Sequence, residues 1–184
     1  WDTGPGNMLL DAWIKRHSGV HYDRDGAWAA SGSVHPGLLA TLMGHAYLQL
    51  PPPKSAGREQ FNLDWLDAGL GSLDEALAPS DVQATLLEFT AMSLADAVNR
   101  ECTGAHELYV CGGGAHNRAL MQRISAHLPG IRVATTATLG IDPDWVEALA
   151  FAWLARQTLH HAPGNLPAVT GARGERVLGA IYPA

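Results

Sequence analysis

The sequence predicts an α/β domain, and three stretches carry that expectation. Leu108-Tyr-Val-Cys111 is a β-favouring run that leads straight into Gly112, Gly113 and Gly114. A helical pattern, Leu120, Ile124 and Leu128, follows at once and is stopped by Pro129-Gly130. Ile131-Arg-Val133 then reads as a second strand. A strand, glycine turn, helix and strand in this order normally give two parallel strands joined by a right-handed crossover. Ligands of such sheets sit at the C-terminal strand ends. Glycines there let a ligand approach the backbone, and the helix N-terminus offers unpaired N–H groups. A nucleotide-binding turn and a tight turn without a ligand are both open on the glycines alone.

Taken in order, Trp1-Asp-Thr-Gly-Pro-Gly-Asn7 is a loop feeding a helix whose apolar stripe is Leu9, Leu10, Trp13 and Ile14. Gly19 ends that helix. Asp2 stands at a strand-to-helix junction, where a carboxylate either caps the turn or does chemistry; spacing favours capping. Two short helices are expected around Asp25–Ala30 and His35–Leu48, ended by Pro51-Pro-Pro53. Lys54 to Asn62 is a charged loop, and Leu63–Ala68 a short helix. Ser80-Asp-Val-Gln83 has the form of a capping box, with Ser80 as N-cap, opening a long core helix that ends at Thr103-Gly104. That helix reads as packing without chemistry.

Beyond the second strand, Asp142 as N-cap and Pro143 at the first helical position start another helix. Its run Ala148–Ala155 is apolar on every side, so burial is expected. Glu147, just before the run, must reach an open site or a buried partner. The tail from Pro163 reads as a loop plus a final edge strand within 177–182.

Hydrophobic residues form 47% and charged residues 16% of the 184, which excludes a disordered chain. A net charge of −6 without a Lys/Arg cluster argues against a nucleic-acid partner. The longest apolar run is too short to cross a membrane. Cys102 and Cys111 lack CxxC spacing and read as reduced thiols of a cytoplasmic protein. The nine histidines are scattered, so no metal site is expected. The chain begins at Trp1 on a loop motif, without a signal peptide, and reads as a fragment.

Five segments together resemble the anhydro-N-acetylmuramic acid kinases of bacteria. They are Asp2-Thr-Gly-Pro-Gly-Asn7 with Leu10-Asp-Ala-Trp13; the 53–62 segment Pro-Lys-Ser-x-Gly-Arg-Glu-x-Phe-Asn; Val110-Cys-Gly-Gly-Gly-x-x-Asn117; the 140–155 segment; and the 163–172 segment. The resemblance implies an RNase-H-like (actin/hexokinase-type ATPase) fold. The chain would be the C-terminal domain of two, spanning 1–184, helix-rich and incomplete at its N-terminal strands. The family's Ser-Gly-Thr-Ser-type phosphate segment does not occur in these residues, so the chain alone is expected to be inactive. The implied partners are an amino sugar and ATP, with Mg2+, in the bacterial cytoplasm. Asp2 is implied as the catalytic base, and Gly112, Gly113, Gly114 and Asn117 as the adenosine turn. Gly4, Gly6, Asn7 and Glu147 are implied near the substrate. Lys54, Ser55, Arg58 and Glu59 are further cleft candidates. A seam left by absent strands is expected to promote self-association, with a homodimer as its simplest form. A Rossmann dinucleotide site is the less favoured reading, because the glycines lack Gly-x-Gly-x-x-Gly spacing. A nucleotide-binding domain without catalysis is the remaining alternative.

Overall fold

A computed structural model describes residues 1–182. The architecture is a helix-rich α/β arrangement built on one long helix, α4 (Pro79–Glu101). Around it lie α1 (Met8–Ser18), α2 (Pro36–Met43), α3 (Leu63–Gly71) and α5 (Arg118–His127). Strands β1 (Glu107–Val110) and β2 (Arg132–Thr135) pair in parallel, Leu108 opposite Val133, and α5 is the connection between them. The strand–turn–helix–strand expectation therefore holds. Helices α6 (Val146–Leu159) and α7 (Pro167–Thr170) complete the chain.

Helix α1 forms where the stripe demands it, burying Leu9, Leu10, Trp13 and Ile14. Its stripe meets α4, whose Val82, Leu86 and Phe89 are fully buried. Phe61 stands edge-on to Tyr47 and Trp65 and tilted against Phe89, locking the 45–65 region onto α4. Leu120, Ile124 and Leu128 of α5 join the same core. Leu108 and Val133 pack the sheet against it.

Several local expectations are corrected. Helix α4 begins at Pro79, with Ala78 at the N-cap position and no side-chain cap, so Ser80 does not cap it. Pro79 already has helical φ, and as the first helical residue its missing N–H is one the helix start leaves unpaired anyway, so the helix opens one residue before the expected cap. The neighbouring carboxylate is used elsewhere, since Asp81 accepts from the Ser33 N–H at 2.7 Å. Gln83, placed in the expected capping box, is buried and donates to Asp23 at 3.4 Å. In place of a helix over Asp25–Ala30 there are two 3-10 turns, Arg24–Gly26 and Ala29–Ser31, because Asp25 (φ 58°) and Gly26 (φ 69°) leave the helical region. The His35–Leu48 helix divides into α2, capped by His35, and a 3-10 turn at Ala46–Gln49.

Helix α6 is the largest departure. Asp142 caps a 3-10 turn, Pro143–Trp145, accepting from the Asp144 N–H at 2.9 Å, and the α-helix expected to start there begins only at Val146. The helix is nevertheless exposed: Phe151 is 66% and Trp153 50% accessible, and no α6 residue is buried. Composition makes burial favourable, but burial needs a covering element, and among the described residues the tail covers the helix only in part. The tail does not form the expected edge strand among the described residues. It folds back onto α6, with Gly164 N–H donating to the Arg176 carbonyl at 2.9 Å and Thr158 bonded to the Leu178 carbonyl.

The long helix also carries an ionic link that its reading as plain packing missed. Glu88, buried on α4, accepts two hydrogen bonds from Arg123 at 2.6 and 2.7 Å and one from His127 at 2.7 Å. Burial pushes this carboxyl up, but the Arg123 and His127 hydrogen bonds and charges outweigh it and hold it below the ordinary carboxylate range. A depressed folded value means the contribution is present above the unfolded pKa and lost as pH falls through the folded one. Glu88→Gln is expected to cost about 2–3 kcal/mol at neutral pH. The deficit should shrink in acid, which melts at two pH values will show.

Candidate functional site

The turn after β1 is held from three sides. Gly112 N–H donates to the Pro143 carbonyl at 2.9 Å, tying it to the turn that opens α6. His116 meets Asp144 at 2.9 Å across the same junction. Asn117, buried, caps α5 by accepting from the Leu120 N–H at 3.0 Å. The third side is Asn7 at the start of α1. A Cβ on Gly114 would lie 3.2 Å from Asn7 Oδ1, so the glycine is what lets the Asn7 amide rest on the turn.

Asn7, Gly113 and Asn117 thereby line one cavity of about 440 Å3. Its remaining wall is α1 and the 21–25 loop, with Asp11, Arg24 and Asp25 contributing charge. Burial, then the nearby Asp23 charge, raises the Asp11 carboxyl above its ordinary value. Asp25 sits in the left-handed region at φ 58°, a conformation Asp tolerates and one that collects at ligand sites. Asp11 and Asp25 were not singled out from sequence. The usable signal was a lone carboxylate, Asp11, inside the α1 apolar stripe.

Asp2 stands apart from the residues lining that cavity, and it does not cap α1. Its Oδ2 accepts from Ser55 Oγ at 2.9 Å and from the Ala56 N–H at 2.8 Å. Its backbone is pinned too: Asp2 N–H donates to the Lys54 carbonyl at 3.3 Å, and Tyr47 Oη donates to the Asp2 carbonyl at 2.8 Å. Capping lost because these partners, far along the chain, are brought to the carboxylate by the 47–56 segment. Lys54 is spent on that segment, donating to the Tyr47 and Leu48 carbonyls at 3.0 and 3.2 Å over the Tyr47 ring. Its burial, then the charge of Arg100, lowers its pKa.

The other candidates are dispersed. Gly4 presents its bare face to α4, where a Cβ would lie 2.8 Å from Ser93 Oγ. Gly6 turns the loop at φ 57°, and its carbonyl accepts from Thr90 at 3.1 Å. Glu59 folds onto its own loop, accepting from the Gly57 N–H at 3.0 Å. Arg58 lines a second cavity, of about 500 Å3, with Lys15 and Asn62. Glu147 is exposed on α6 and is not among the residues lining either cavity, so the buried-partner reading of this carboxylate is corrected.

The family model described as anhydro-N-acetylmuramic acid kinase matches residues 1–184. The chain belongs to the anhydro-N-acetylmuramic acid kinase family. Among curated relatives of that name, the protein of Thiobacillus denitrificans is 73% identical over the whole chain and that of Nitrosomonas europaea 56%. The Pseudomonas putida relative is 57% identical, also over the whole chain. The chain spans about half the length of the curated relatives it matches, 50% of each of these three. The family resemblance carried by the five segments is thus upheld. No helix among the described residues is long and apolar enough to cross a membrane.

Proposed function

We propose that the chain is the C-terminal domain of a two-domain, RNase-H-like sugar kinase of the bacterial cytoplasm. It would convert 1,6-anhydro-N-acetylmuramic acid, water and ATP to N-acetylmuramic acid 6-phosphate and ADP in peptidoglycan recycling. The observation that carries this reading is the Asp2 carboxylate, with Oδ2 held by two donors and Oδ1 engaged by none among the described residues. Such a group can take a proton from water as the water oxygen bonds to C1 of the sugar. The C1–O6 pair of electrons then passes to O6, which bonds to the γ-phosphorus while the bond to ADP breaks.

Nucleotide binding is assigned to the cavity at the glycine turn. Asp11 and Asp25 oppose phosphate but accept hydrogen bonds from ribose hydroxyls, which favours the adenosine end of ATP there. Mg2+ would be carried on the nucleotide's phosphates. No group of three His, Cys, Asp or Glu side chains among the described residues is placed to cage it, and no step above passes through it. Gly4 and Gly6 would shape the loop behind Asp2, and Asn7 would link that loop to the nucleotide.

A nucleotide-binding domain without catalysis is the second reading, favoured by the separation of Asp2 from the cavity lined by Asn7, Gly113 and Asn117. Phosphate transfer from ATP to the anhydro sugar should be measured for this chain alone and for the chain set in place of the matching half of the Thiobacillus denitrificans relative. Turnover only in the joined form is expected. A joined form that binds ATP and turns over nothing would favour the second reading.

A further inference from the structure

We infer that Ser55 is a positioning residue, holding the Asp2 carboxylate in the orientation that proton abstraction needs; this rests on the kinase reading above. Asp2 lies in a segment without regular structure and with an exposed side chain, so nothing local sets its rotamer. Its geometry is imposed across 53 residues by Ser55 Oγ, and across 54 by the Ala56 N–H. Both donors meet the same oxygen, Oδ2. That arrangement fixes the plane of the carboxylate and leaves the basic lone pairs of Oδ1 for water.

The strap that carries Ser55 is itself anchored. Lys54 donates to the carbonyls of Tyr47 and Leu48, and Arg100 of α4 donates to the Leu48 carbonyl at 3.1 Å. The Tyr47 hydroxyl then returns to the Asp2 carbonyl. A closed ring of contacts thus runs from α4 through 47–56 to Asp2, and Ser55 is its member that touches the reacting carboxylate through a side chain. This explains why a serine, and not merely a small residue, stands beside Lys54 in the charged loop.

The test is steady-state kinetics of Ser55→Ala, Ser55→Thr and Asp2→Asn in the joined full-length kinase, with kcat and KM separated. Ser55→Ala should lower kcat about tenfold, because one of two donors is lost. KM should stay within about twofold of the parent, since a positioning role leaves sugar and nucleotide contacts in place. Ser55→Thr, which keeps the hydroxyl, should restore kcat. Thermal melts of each variant separate this from a loss of fold. An unchanged kcat, a fall in kcat that Ser55→Thr does not restore, or a KM change as large as the kcat change overturns the positioning role. Retained turnover in Asp2→Asn overturns instead the use of Asp2 on which it rests.

Discussion

Asp2→Asn is expected to lower turnover by about 1,000-fold, the scale of removing a general base. The substitution is isosteric, and the amide oxygen can still accept from Ser55 Oγ and the Ala56 N–H, so the loop should keep its place. What disappears is the proton acceptor at the other carboxylate position. KM for both substrates should stay within about threefold, because the cavity at the glycine turn does not include Asp2. Kinetics of the joined kinase, with a melt to show an unchanged fold, will measure this. Turnover within about tenfold of the parent would move the base elsewhere, and Glu147 is the carboxylate to examine next.

Gly26→Ala should be strongly destabilising. Gly26 is buried at φ 69°, where an alanine costs about 1–2 kcal/mol in backbone conformation alone. A Cβ there would also overlap Asn117 Oδ1 and lie 2.6 Å from the Ala119 Cβ. Neither neighbour is free to yield, because Asn117 is capping α5 and Ala119 is in its first turn. Overpacking of this kind adds about 1–3 kcal/mol. A total near 3–4 kcal/mol corresponds to a fall of roughly 10 °C in Tm for a chain of this size. Gly104→Ala is the control: its φ is 84° but the space around it is open, so only the conformational part should be lost. Equal effects for the two would show that the contact with α5 is unimportant. Gly26→Ala should also weaken the nucleotide binding proposed for the cavity, since Gly26 joins its lining 21–25 loop to the α5 cap.

Features whose causes lie within a few residues were legible before the structure. The α1 stripe and the parallel strands joined through a glycine turn and α5 follow from side-chain periodicity and from the turn between strand and helix. The Asp142-capped turn that leads into α6 was legible for the same reason. The capping expectations at Asp2 and Ser80 failed because the competing partners, Ser55 for Asp2 and Ser33 for Asp81, are remote in sequence. Burial of α6 failed for a related reason. A run of apolar residues states a demand for cover, and only the packing of other elements meets it.

By itself the sequence determined the family and the strand, glycine turn, helix and strand order around α5, since each rests on residue types at fixed spacing. Only the tertiary structure decided that Asn7 closes on Gly114, that Asp11 and Asp25 share the cavity of Asn117, and that Ser55 holds Asp2. Those are contacts between segments far apart in the chain. They exist because α4 offers one apolar surface on which α1, the aromatic 45–65 region and α5 must all converge.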